Sequence, residues 1–252
     1  SGSSSFISQL QSLKAYLFID GIFSQIVTAG QDGKYSFQVS SSFSGSAQVV
    51  AIGTSSTDSL QMDTPVAGDS ISRLYFGVRQ TRDGVPPYLL YYGKYQGRTV
   101  TTRAADLITL QVDTTLTMSA RNVTLHLIIQ HITDFISDAS SCRVVVSGFR
   151  NKISFEGLVC GDSVSYAPVM TFDSSNNYVS TPILTLPTMT GDRVKVSVYD
   201  HDELVWYTDT DDDGNAVTLQ GGDNKALVIN CRRSTITMHP VPWGEYAQYI
   251  TM

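Results

Sequence analysis

The chain has 252 residues, 42% of them hydrophobic and only 16% charged, with a formal net charge of −6. That length accommodates two domains with a core each, and the low charge fraction points to a hydroxyl-rich exterior of the kind common on extracellular β-proteins. An acidic chain whose one basic doublet is Arg232-Arg233 lacks the cationic stripe that phosphate binding needs, which argues against a nucleic-acid partner, and no run approaches the apolar length of a membrane-spanning helix.

After a flexible Ser/Gly-rich opening, the pattern is period-2 alternation broken by Gly, Asp, Asn and Ser. Ala15–Ile19 reads as a strand ended by the turn pair Asp20-Gly21, and Asp32-Gly33 opens a second over Lys34–Val39. Ala47–Ile52, Leu74–Val78, Tyr88–Tyr92, Arg98–Thr102 and Leu107–Val112 follow, with turn chemistry at Thr81–Gly84 and Pro86-Pro87. Phe6–Leu13 and Thr57–Met62 are the two candidate short helices.

The second half repeats this grammar over Thr115–Met118, Val123–Ile129, Cys142–Ser147, Ile153–Leu158, Ile183–Leu186, Val194–Tyr199, Leu204–Thr208, Ala216–Leu219, Leu227–Asn230 and Thr235–Met238. Val123, Leu125, Leu127 and Ile129 share one strand face, with Thr124, His126 and Gln130 on the other. Strands every 8–12 residues without a βαβ rhythm predict an all-β protein of two sandwiches, 1–112 and 113–252, divided near Val112–Asp113.

Catalytic chemistry finds little footing. Gly68-Asp69-Ser70 and Gly161-Asp162-Ser163 contain the Gly-Asp-Ser block of one esterase class, but that class also needs an Asp three residues before a histidine. His239 has Ile236 there and His201 has Val198, so neither serine gains a base, and both blocks read as turns. His126 and His131 lack a metal-binding spacing, and Tyr199–Glu203 around His201 reads as a polar turn or a loose carboxylate–imidazole cluster. Asp209-Thr210-Asp211-Asp212-Asp213-Gly214 matches the opening of a calcium loop, with Asp209, Asp211 and Asp213 at the ligand positions. Gln220 replaces the closing bidentate Glu, and a hairpin tipped by Asp213-Gly214 competes with the calcium reading.

The cysteines are odd in number: Cys142, Cys160 and Cys231. A hairpin closed by Arg150-Asn151-Lys152 would set Cys142 opposite Cys160 within disulfide reach. Three buried thiols are the alternative.

Lys14–Gly21, the block Tyr88-Leu89-Leu90-Tyr91-Tyr92-Gly93, the stretch Thr115–Leu125, and Ser147-Gly148-Phe149 followed by Lys152–Gly157 resemble, in that order, segments of the fimbrillin-A-associated anchor family. The resemblance implies two tandem transthyretin-like β-sandwiches in a non-enzymatic fimbrial (pilus) subunit, of the membrane-anchoring or assembly-terminating type, acting in cell-surface adhesion. It further implies export to the outer membrane or cell surface, a lipid anchor on an acylated cysteine, and partner fimbrial subunits joined by strand addition. Two features depart from the family: no cysteine stands near residue 1, and Met118 replaces an arginine often found there. The tail Trp243–Met252 is a candidate donor strand or a terminal strand of its own domain. A different class, a carbohydrate-binding β-sandwich of a surface glycan-capture system, would need an exposed aromatic platform, for which Tyr88, Tyr91, Tyr92, Tyr95, Trp206 and Tyr207 are the candidates.

Overall fold

The computed structural model describes residues 8–27, 37–40, 46–79, 88–98, 107–110, 116–232 and 235–250. Asp32-Gly33, Thr81–Gly84, Pro86-Pro87, most of Arg98–Thr102 and the expected division at Val112–Asp113 lie outside them. The chain forms two compact units that interleave in sequence. One lies within Ser1–Gly77, Tyr88–Ala120 and Ile153–Leu158, and the other within Val78–Pro87, Arg121–Lys152 and Val159–Met252.

The first unit contains β1 (Ser12–Ile19), β2 (Ile22–Val27), β3 (Phe37–Ser40), β4 (Ser46–Thr54), β5 (Leu60–Met62), β6 (Tyr75–Val78, whose last residue falls in the second unit), β7 (Leu90–Arg98), β8 (Leu107–Leu110) and β9 (Ser119–Ala120). An antiparallel sheet runs β2-β1-β4-β7-β9, and β3 pairs with β8. Asp20 and Gly21 have φ of 50° and 79° between the partners Ile19 and Ile22. This is the two-residue, left-handed loop whose twist matches that of its strands. Alternation along β1 loads both sheet faces. Ala15 and Leu17 pack with Val27, Ala47 and Val49, while Tyr16 and Phe18 turn to an aromatic cluster. There Phe155 lies 5.1 Å from Tyr16 and 6.1 Å from both Phe18 and Phe76, and Phe76 stacks on Tyr92 at 5.9 Å. The Phe155 carbonyl accepts the Tyr92 hydroxyl at 2.9 Å, and its N–H donates to the Leu74 carbonyl at 2.9 Å. These bonds explain why six residues far along the chain belong to this unit.

The second unit contains β10 (Val123–Gln130), β11 (Cys142–Ser154, whose last two residues fall in the first unit), β12 (Val159–Tyr166), β13 (Met170–Phe172), β14 (Tyr178–Ser180), β15 (Ile183–Thr185), β16 (Lys195–Asp200), β17 (Glu203–Thr208), β18 (Asn224–Arg232) and β19 (Thr235–Pro242). One sheet is ordered β13-β14-β10-β18-β19, with β15 also on β10; the other joins β17, β16 and β11, with β12 on β11. Leu125, Leu127, Ile129, Leu227 and Ile229 of the first meet Val144, Val146, Val196, Val198 and Trp206 of the second in one core. Two sheets closing over one interior make this unit a β-sandwich. Its one unexpected pairing is parallel, β10 with β18, from Thr124↔Asn224 to Gln130↔Asn230.

Several elements differ from the sequence reading. Leu60–Met62 is a strand, and Ser12 and Leu13 already belong to β1; among the described residues the helical turns lie at Ile71–Arg73, Ile132–Asp134, Trp243–Glu245 and Ala247–Ile250. Ile153–Leu158 is no separate strand: β11 runs on to Ser154, and the chain reverses there. Leu116–Met118 is unladdered, pairing starting at Ser119. Ala216–Leu219 keeps its inward alternation through buried Val217 and Leu219, yet it bonds to Thr188 and Val194 rather than to a ladder. Strands β12, β13 and β14 are too polar or too short to announce themselves.

Candidate functional site

The acidic loop places its carboxylates apart. Asp209 faces the Arg193 guanidinium at 3.4 Å. Asp211 Oδ1 accepts the N–H groups of Asp213 (3.0 Å) and Asn215 (2.7 Å), and backbone bonds between Asp211 and both Asn215 and Gly214 close the turn. Asp212 Oδ1 accepts the Met238 N–H at 2.8 Å, and its Oδ2 lies 2.5 Å from His239 Nε2. Asp209, Asp211 and Asp213 thus do not converge, and no group of three His, Cys, Asp or Glu side chains fit to hold a metal occurs among the described residues. A carboxylate that caps N–H groups within its own turn is already using the lone pairs a cation would need. The segment forms a tight turn, with Gly214 at φ 81° and the single bridge Thr210↔Ala216 at its neck, rather than a hairpin of two paired strands.

The expected opposition of Cys142 and Cys160 fails on loop position. The reversal sits at Phe155–Gly157, where Ser154 N–H donates to the Leu158 carbonyl at 2.8 Å and Gly157 has φ 89°. The partner strand is displaced accordingly: the Asp162 N–H reaches the Asn151 side chain at 2.9 Å. Cys142 pairs across to Asp200 instead, and all three cysteines are thiols. Burial raises the Cys142 thiol and pushes Cys231 up to about 12, so neither is a ready nucleophile.

Ser70 precedes the turn Ile71–Arg73, with its hydroxyl 2.9 Å from that of Ser72. Ser163 is not in a turn but exposed on β12. His201 and Asp202, at φ 49° and 64°, form the two-residue loop of the β16–β17 hairpin. Asp200 beside them accepts bonds from the Ser141 hydroxyl (2.5 Å) and from the Ser137 hydroxyl (2.9 Å) and N–H (3.1 Å). The Ser141 bond foremost holds its carboxyl down at about 2. This cluster fastens a turn.

The proposed aromatic platform is mostly core. Tyr88, Tyr92 and Trp206 are buried, Tyr91 is half-buried, and Tyr95 packs on the Leu17 cluster. Tyr207 is exposed, with the Lys195 ammonium 4.0 Å from its ring centre. Replacing Tyr92 or Trp206 would therefore probe stability rather than binding.

The aromatics that sequence reasoning undervalued lie on the outer face of the β10–β18–β19 sheet. Ile128, Ala226, Val228 and Val241 form a second apolar patch, packed against by Val179, Trp243 and Tyr246. Over residues 243–250 the tail of this chain is helical rather than extended. The β19 ladder contains Pro240 opposite Leu227 and ends at Pro242 opposite Lys225, after which the chain turns helical over its own sheet. His126 stacks on Trp243 at 3.5 Å, and Trp243 on Tyr246 at 4.4 Å. His126, placed on the outward face by alternation, is covered by this stack; burial lowers its pKa, against a weaker opposing bond to Asn224. The available signal was a run of aromatic residues directly after a Pro-x-Pro stop.

The model of the family described as fimbrillin-A associated anchor proteins Mfa1 and Mfa2 matches residues 2–246. A comparison with curated proteins finds no match. Among solved structures, the chain is similar to the fimbrial anchor protein Mfa2 of Porphyromonas gingivalis, with a TM-score of 0.65 at 12% identity over 93% of this chain and 91% of that one. It is also similar to a provisionally assigned polysaccharide-binding protein of Bacteroides thetaiotaomicron, with a TM-score of 0.64 at 14% identity over 94% and 92%. A provisionally assigned adhesin of Bacteroides ovatus gives a TM-score of 0.60 at 13% identity over 95% and 90%. Identities this low establish the shared fold, and the family match across nearly the whole length establishes descent: the chain belongs to the family of fimbrillin-A associated anchor proteins.

Proposed function

We propose that the protein is a non-enzymatic fimbrial subunit of the membrane-anchoring or assembly-terminating type. It is exported to the outer membrane, held there by a lipid anchor, and acts in cell-surface adhesion. The match to the anchor family over residues 2–246 carries this reading. Its tandem sandwiches are of transthyretin-like type, and it joins other fimbrial subunits by strand addition. Support for strand addition comes from β2, at the edge of its sheet among the described residues, where Ile22 and Ile26 are 43% and 46% exposed and only the Ile22–Phe23 end is held, by the bridge to Ser70 and the hydrogen bond to Asp69. Natural sheets usually blunt such edges with charge or proline, because an apolar edge invites another strand.

Replacing Ile22 and Ile26 together by Lys tests the idea. The folded double variant should no longer co-purify with fimbriae from cells. Unchanged incorporation, with the native circular dichroism spectrum retained, would rule out strand addition at this edge.

A further inference from the structure

The outer face of the β10–β18–β19 sheet is built in rows. The parallel register sets Gln130 beside Asn230 and Ile128 beside Val228, and the antiparallel one sets Asn230 beside Thr237 and Val228 beside His239. Trp243 and Tyr246 pack on the apolar patch that includes Ile128 and Val228. The polar row opens into a cavity of about 280 Å³, floored by Val228 and walled by His239, Tyr249 and, at its rim, Arg232.

From this geometry we propose that the cavity binds an acidic sugar unit, a hexuronate-type residue of a glycan. Its volume lies near the small end of ligand sites, which span about 300–1,000 Å³, and so suits one ring rather than an extended chain. Two carboxamides and a hydroxyl on three adjacent strands offer donors and acceptors in fixed positions, as sugar hydroxyls require of their partners. The Asn230 side-chain oxygen is buried with no hydrogen-bond partner. Such orphaned acceptors are rare in native proteins, and a small turn of the Asn230 amide toward the cavity would let a ligand hydroxyl satisfy this one. Tyr249, 41% exposed, gives an aromatic face for the apolar side of a pyranose ring.

Charge selects the class of sugar. Among the described residues the Arg232 guanidinium has no ion-pair partner and no carboxylate lines the cavity. The nearby Asp212 is engaged by His239 and the Met238 N–H. A planar guanidinium at the rim recognises a carboxylate by two parallel hydrogen bonds. The site shares its ligand class with the aromatic-platform reading but uses other residues, and it is independent of the anchoring role.

Calorimetric titration of the whole chain with trigalacturonate, with maltotriose and inorganic phosphate as comparison probes, tests the proposal. Trigalacturonate should bind, and Arg232→Gln should weaken it about tenfold or more, a loss on the order of 1.4 kcal/mol. Asn230→Ala should weaken it as well while leaving the melting temperature unchanged or raised, because it removes an unsatisfied acceptor rather than a bond. Tyr249→Ala should do so without altering the fold. No binding of trigalacturonate, or binding indifferent to Arg232 and Asn230, overturns the proposal. So does equal affinity for maltotriose, which removes the charge argument, or phosphate binding of equal strength that depends on Arg232 alone.

Discussion

Phe155→Ala is the most searching perturbation of the first unit, because the segment carrying this residue comes from far along the chain. The ring is fully buried and contacts Tyr16, Phe18 and Phe76 within 6.1 Å. Truncating a core phenylalanine costs about 3–5 kcal/mol. Edge-to-face aromatic pairs contribute about 0.5–1.5 kcal/mol each beyond burial, not additively, which places this site near the upper part of that range. The backbone bond from Phe155 N–H to Leu74 survives truncation, so the loss should be one of packing. A loss of about 4 kcal/mol lowers hydrogen-exchange protection of β1 and β4 amides by roughly three decades if they exchange through unfolding of this unit. Phe155→Leu, which keeps most of the volume, should cost about 1.5 kcal/mol or less. Guanidinium unfolding followed by circular dichroism, together with exchange by mass spectrometry, measures both. Less than about 1 kcal/mol for the alanine variant would refute the claim that Ile153–Leu158 completes the first core.

Other consequences are sharper in sign than in size. Gly148 has φ +100°, and a Cβ there would collide with the Arg193 carbonyl oxygen. Gly148→Ala should therefore cost at least about 2 kcal/mol, read as a lower melting temperature. Burial depresses the His126 pKa below its ordinary 6.5. The folded state then binds fewer protons than the unfolded, so stability is full above about pH 6.5 and declines as pH falls through 6.5 toward the folded pKa. Melting curves from pH 7.5 to 5 should show this slope, and His126→Gln should flatten it. Asp200, held at about 2, adds a second acid limb: its contribution is present above its ordinary pKa of 3.8 and is lost as pH falls toward 2, and Asp200→Asn should remove it. Millimolar calcium should leave the melting temperature unchanged, since Asp209 and Asp211 spend their oxygens on Arg193 and the turn's own N–H groups; a clear upward shift would show that the loop rearranges around the ion.

The strands most legible in the sequence were those with apolar residues at alternate positions of a core face, such as Val123–Ile129 and Val194–Tyr199, although the other face of Val123–Ile129 is covered as well. The Asp20-Gly21 loop was equally plain, because few residue pairs accept left-handed φ twice. Illegible were features decided by pairing. Arg150-Asn151-Lys152 has turn-like composition, yet it lies within β11; Phe155-Glu156-Gly157 turns instead, since Gly157 takes the positive φ and Phe155 gains an aromatic core. Trp206 and Tyr92 looked like surface aromatics because alternation alone does not say which sheet face is covered. The outer-face groove escaped notice for a related reason. Gln130, Asn230 and Thr237 are 100 and 7 residues apart, and only the parallel β10–β18 register together with the antiparallel β18–β19 one makes them neighbours. The family resemblance, carried by short segments, survived because it drew on order along the whole chain.

Assignment to fimbrial assembly is tested most directly by electron microscopy of cells in which this protein alone has been deleted and then restored. Fimbriae should be shed into the medium or change in length on deletion and return to the cell surface on restoration. Fimbriae unchanged in number, length and attachment would contradict the assignment.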